Sequence, residues 1–312
     1  MAVSYRFPLA MVTVAAFLAY AAAVVFFYFG KYKDKSPLKY FNHSIPLDGY
    51  TSYKLQITPQ WWTWWIWAGV FGWQLPWLLY AFVIPCRSNA PKVMNIAFML
   101  IVFFGFGFTL GWVFLWEEKL INASLGFMGG IVLSMFIALA IAYYRLDELL
   151  LRRKSFSTCD HFMIEMFVTN GVGLYASWAT FCAILHSGIV LKFTAGVEDE
   201  IASTITLAAL AGALMFGFLL DIFVFLPYTR YTFTFYPAFV VGFAGTFHAH
   251  WPDDEKDRNA LFNVVLLGLA GLMSLIKVLL LVWWSCRQKR RVKSMTVTDP
   301  RGTERYDMDV YH

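Results

Sequence analysis

Eight apolar runs, each close to the ~20 residues that cross a hydrocarbon layer as a helix, divide this 312-residue chain. They lie near residues 8–30, 61–85, 93–116, 120–144, 161–191, 201–226, 231–251 and 260–284. With 59% hydrophobic and 14% charged residues, the chain has too little polar surface for a soluble globule. The expected fold is all-α, a polytopic transmembrane helical bundle of about eight helices. The first run contains Ala19-Tyr20-Ala21, which loosely resembles a signal-peptide cleavage site. It is nevertheless longer than the ~7–15-residue core of such peptides and reads as a spanning helix.

Short loops carrying Arg87 and Lys92, then Arg145, Arg152, Arg153 and Lys154, then Arg230, alternate with loops carrying Glu198, Asp199, Glu200 and Asp253, Asp254, Glu255. The basic set belongs in the cytoplasm, which puts both termini there. Lys31, Lys33, Lys35, Lys39 and Lys54 in the first long loop run against this rule. The tail Arg287-Gln288-Lys289-Arg290-Arg291-Val292-Lys293 falls on the cytoplasmic side, where anionic headgroups attract it. Two glycosylation sequons, at Asn42 and Asn122, fall on the opposite side and favour a eukaryotic plasma membrane or endomembrane over a mitochondrion. Cys86, Cys159 and Cys286 sit at cytoplasmic positions and Cys182 inside a helix, so no outer disulfide and no metal site is expected.

Seven of the thirteen tryptophans fall between Trp61 and Trp77. Trp62, Trp65, Gly69, Trp73, Pro76 and Tyr80 recur at about helical spacing and form one broad face, with Pro76 as a kink. Such rings belong either to an interfacial belt and helix packing or to the wall of a pocket for a flat apolar ligand. Trp67, Trp73 and Trp77 continue through the membrane, which favours a lined interior.

Thr58-Pro59, Trp62, Trp67, Trp73-Gln74, Trp77 and Tyr80, followed in the fifth run by Tyr175, Trp178, Cys182, Leu185 and His186, resemble the TspO/MBR family of tryptophan-rich sensory and translocator proteins. Cys182 and His186 stand where that family has Ala and Asn, and Leu110-Gly111-Trp112 lacks the Asn that precedes the family's third-helix Trp. The resemblance covers residues 1–195 as a five-helix bundle. Residues 196–285 then supply three additional transmembrane helices and residues 286–312 a basic cytoplasmic tail. It implies a pocket for a hydrophobic planar ligand, a tetrapyrrole such as haem or porphyrin, or a sterol. Trp62, Trp65, Trp67, Trp73, Tyr175, Trp178 and His186 are the ligand-binding candidates, His186 by hydrogen bond or as a haem ligand.

Glu165, Asp221 and Lys277 lie within the spans, where each needs a partner or water. Asp221 and Lys277 are placed to pair. The pair either holds the added helices together or serves a secondary transporter or channel using Glu165, Asp221 and Lys277. A membrane receptor or scaffold acting through loop 145–160 and the tail is a third reading. No catalytic signature is present. Expected partners are membrane lipid, a hydrophobic small-molecule ligand and a second copy in a homodimer; nucleic acid is not among them.

Overall fold

The computed structural model describes residues 3–31, 53–87, 90–151, 157–251 and 257–295. Eight helices follow in order. α1 is Val3–Lys31. α2 opens with a 3-10 turn, Trp61–Trp65, runs as Ile66–Val83 and closes with a second 3-10 turn, Ile84–Cys86. α3 is Ile96–Glu117 and α4 Ile121–Leu151. α5 joins Thr158–Phe162, a π-helical stretch Met163–Thr169 and Asn170–Phe193. α6 likewise joins Asp199–Leu220, a π-helical stretch Asp221–Phe225 and Leu226–Thr229. α7 is Phe235–His250 and α8 Arg258–Met295. The expected all-helical membrane architecture is therefore the one observed, and seven of these helices are long and apolar enough to cross a membrane.

Local signals account for the helix ends. Asn95 caps α3 by accepting from the Phe98 N–H at 2.8 Å, and Ser157 caps α5 by accepting from Asp160. Gly196, at φ 71°, supplies the left-handed turn after α5, which glycine adopts without the Cβ penalty.

α7 is the exception in length: 16 residues, or about 24 Å at 1.5 Å per residue. It still traverses the bundle. At one end the Tyr236 hydroxyl donates to Asp221 at 2.7 Å, and at the other the His250 imidazole meets the Thr58 carbonyl at 3.0 Å, just ahead of α2. α6 and α8 run alongside in parallel, joined near their starts by Thr204 and Asn259 and farther along by Asp221 and Lys277. α7 thus runs antiparallel between them, and all eight helices alternate in direction. Val3 and Met295 lie at the same end, here called the lower end; α2, α6 and α8 begin at the upper end.

α5 is the axis of the bundle. In its most apolar window 67% of the residues are buried, against 11% for α6 and 22% for α8, so α6 and α8 keep most of their apolar surface for lipid. α7 packs against α5, α8 and the opening turn of α2. A side chain at Gly245 would collide with Thr63 of that turn, and one at Gly242 with the Phe181 ring of α5. Glycine at these two positions lets the short helix sit against its neighbours.

Asn170, buried in α5, fastens the connection between α6 and α7. Its Nδ2 donates to the carbonyls of Glu165 and Tyr231, both at 2.8 Å. Its Oδ1 accepts from the N–H groups of Phe233 at 2.8 Å and Thr234 at 3.3 Å. The Asn170 carbonyl takes the Thr234 hydroxyl at 2.7 Å. Asn170→Leu keeps the volume but strands two backbone donors in an apolar setting, at about 1–3 kcal/mol each. The expected result is a loss of at least about 2 kcal/mol in a denaturant titration of purified protein; a loss under about 0.5 kcal/mol would show that the loop holds without it.

Candidate aromatic ligand site

The inward face of α2 carries Trp64, Trp67, Val70, Phe71, Gln74, Trp77 and Leu78, all buried. This is not the face that even spacing from Trp62 suggests. The first five residues wind as a 3-10 turn, at 3.0 rather than 3.6 residues per turn, and the changed phase turns Trp64 inward and Trp65 out. Trp65 is 51% exposed and lies outside the aromatic cluster.

Trp67 is the centre of that cluster. It stacks on Trp112 of α3 at 5.5 Å between centroids and on Phe71 at 5.7 Å, and meets Tyr175 and Trp178 of α5 edge-on at 6.0 and 6.3 Å. Phe27 of α1 closes it, 5.5 Å from Trp67 and 5.4 Å from Phe71. Trp178 stacks on Phe181 at 5.4 Å, which carries the contacts on to Phe239 and Phe243 of α7. Offset and edge-on geometries of this kind are the favoured ones for aromatic pairs.

Every group here is desolvated, yet not every one is satisfied. The Tyr175 hydroxyl bonds the Thr109 hydroxyl and the Tyr20 hydroxyl donates to the Phe71 carbonyl at 3.0 Å. The indole Nε1 atoms of Trp67, Trp112 and Trp178 are buried and, among the described residues, have no hydrogen-bond partner. A buried donor without an acceptor costs about 1–3 kcal/mol. Three in one cluster of touching rings form a site that lacks acceptors.

The cluster is closed as it stands. Trp67, Tyr175 and Trp178 have no exposed surface and Trp112 retains 1%, so the rings pack on one another and a planar ligand enters only if they part. One helical turn and more below, the polar atoms are satisfied: Gln74 donates to the carbonyls of Val70 at 3.0 Å and Gly171 at 2.9 Å and accepts from Trp77 Nε1 at 2.9 Å.

The remaining sequence candidates separate. Trp62 is half-buried at the upper end, its Nε1 donating to His248 Nδ1 at 2.8 Å. Trp73 donates to the Met166 carbonyl at 2.9 Å and packs on Phe233, facing the α6–α7 connection. His186 is fully buried, its Nε2 3.2 Å from both the Ser124 hydroxyl and the Ile121 carbonyl, with Trp116 edge-on at 4.9 Å. Nε2 is thus engaged and Nδ1 is enclosed by protein. Asn122, in the first turn of α4, accepts from Thr194 at 3.1 Å, and Asn42 lies outside the described residues. Phe27, Trp64, Phe71 and Thr109 are the members that spacing did not single out.

The ionisable groups also sort themselves. Asp221 and Lys277 come together, with Lys277 Nζ 2.7 and 2.8 Å from the two carboxylate oxygens and 3.1 Å from the Thr229 hydroxyl. Asp221 further accepts from Tyr236 and from Thr229. Glu165 instead pairs with His161 at 2.9 Å, and among the described residues no hydrogen bond or ion pair joins it to Asp221 or Lys277. At the lower end Asp160 takes Arg87 through two bonds, 2.6 and 2.9 Å, and the Tyr80 hydroxyl at 2.5 Å. The bonds that Arg87 donates to Asp160 raise its pKa and hold its guanidinium in the charged form.

No curated protein and no solved structure matches the chain. The family model described as TSPO-like protein matches residues 10–282. That match runs from α1 into α8 and takes in the three helices after α5 as well as the aromatic cluster. On this evidence of sequence, the chain belongs to the family of TSPO-like proteins.

Proposed function

We propose that this multi-pass membrane protein binds a flat hydrophobic ligand that presents hydrogen-bond acceptors, and that it does so by parting the rings around Trp67. The observation that carries the reading is the set of three buried indole N–H groups in one cluster that have no acceptor among the described residues. A ligand that replaced ring–ring contact with ring–ligand stacking while offering oxygen to these donors would remove a penalty already present in the closed state. Tetrapyrrole carboxylates and a sterol hydroxyl are both acceptors of this kind, and the family resemblance points to the same two ligand classes. Sensing, storing and translocating are equally compatible with such a site. The lower end carries Arg87, Lys92, Arg145, Arg230 and Arg287, which supports a cytoplasmic placement of both termini.

Fluorescence titration of the detergent-solubilised chain with protoporphyrin and with cholesterol, corrected for inner-filter absorption, tests this. Saturable quenching by one of them that is weakened about tenfold, or 1.4 kcal/mol, in Trp67→Phe/Trp178→Phe is the expected outcome. Unchanged affinity in the double variant would remove the site from this cluster. A pathway through the charged residues is less well supported, because Asp221 and Lys277 saturate each other and Glu165 stands apart.

A further inference from the structure

At the upper end, away from the aromatic cluster, the segment before α2, the last turn of α7 and the first turns of α8 enclose a small, partly open cleft with room for about one water-sized group. Gln56, Phe247, His250, Trp251, Asn259 and Asn263 line it. The hydrogen-bonding capacity of these residues is unequally spent. Asn259 is saturated: its Nδ2 donates to Gln56 Oε1 at 2.9 Å and to the Glu200 carbonyl at 3.1 Å, and its Oδ1 accepts from Thr204 at 2.8 Å.

Asn263, 1% exposed, is different. Its Nδ2 donates to the Phe243 carbonyl at 3.0 Å, which fixes the amide orientation, and its Oδ1 is buried with no partner among the described residues. His250 adds a second acceptor. Its Nε2 faces the Thr58 carbonyl at 3.0 Å; a carbonyl only accepts, so Nε2 holds a proton and the acceptor of the uncharged form of the ring is Nδ1. The donors that remain, on Gln56 and Trp251, belong to half-exposed residues of the rim. Phe247 and Trp251 pack 5.2 Å apart as an aromatic wall.

We propose that this cleft binds the head of a small primary amine in its ammonium form. Such a head carries three N–H donors and no acceptor, which matches the buried Asn263 oxygen and the His250 lone pair, and the ring faces of Phe247 and Trp251 attract the cation. A hydroxyl of the same size offers one donor and no charge. None of the cleft residues belongs to the aromatic cluster, so this site and the proposed planar-ligand site stand or fall separately.

Saturation-transfer NMR of the full-length detergent-solubilised chain at neutral pH, titrated with n-butylammonium and with 1-butanol, decides it. Butylammonium should saturate about tenfold more tightly than butanol, the scale of a partly desolvated cation–π contact with added hydrogen bonds. Asn263→Leu, close in volume, and Trp251→Leu, at the rim, should each weaken butylammonium about tenfold while the chain stays folded. If Asn263→Leu proves unfolded, Trp251→Leu alone carries the test. Equal binding of butanol, absence of saturation, or wild-type affinity in the folded variants would overturn the proposal.

Discussion

Asp221→Asn should cost about 3–5 kcal/mol of stability, because it leaves the Lys277 ammonium, 1% exposed, without its counter-charge. The partner that remains, the Thr229 hydroxyl, solvates the ammonium but does not neutralise it. Asp221→Leu combined with Lys277→Met should return stability to the wild-type level or above, since replacing both members of a buried pair with apolar groups of similar volume removes the desolvation penalty along with the attraction. Reversible unfolding in mixed micelles, followed by helical signal, measures both. The single variant unfolding within about 1 kcal/mol of wild type would show that the pair does not hold α6 to α8, and would restore the case for a conducting role. Ligand binding at the aromatic cluster should be unchanged in the double variant.

The second large effect is at Trp67. Sequence reasoning treats it as a pocket wall, from which truncation to alanine ought to remove binding and spare the fold. The structure makes it the ring on which Phe27, Phe71, Trp112, Tyr175 and Trp178 all rest. Trp67→Ala should therefore lose about 3–5 kcal/mol, as large core aromatics do when cut to alanine. Trp67→Phe keeps a ring in place, removes the unpartnered N–H, and should lose less than half as much. Melting temperatures of the two variants in one detergent, compared with wild type, settle the order. A phenylalanine variant as unstable as the alanine one would mean that the indole shape, rather than aromatic bulk, sets the packing.

Much of this architecture is legible in the sequence because membrane helices announce themselves by length. The eight apolar runs fall inside the eight helices almost throughout, and the pairing of Asp221 with Lys277 follows from the cost of isolated charge in an apolar medium. The phase of α2 is not legible. A 3-10 turn and an α-helical turn of the same tryptophans differ by 20° per residue, enough over five residues to exchange Trp64 for Trp65 at the core. Asn170 is hidden for a different reason: its partners are backbone groups some sixty positions away, and no side-chain pattern marks them. The π-helical stretches that carry Glu165 and Asp221 leave no compositional trace either. The cluster's membership from α1 and α3 depends on which helices touch, and periodicity within one run carries no information on that.

The shortness of α7 bears on how the chain is made. A 16-residue helix ending in two histidines carries less of the length by which a translocation machine commits a segment to the bilayer. Its glycine-lined face has value only against α5 and the opening turn of α2, and its other flank only against α8. α7 is thus held in the bundle by its neighbours on both flanks rather than by its own length.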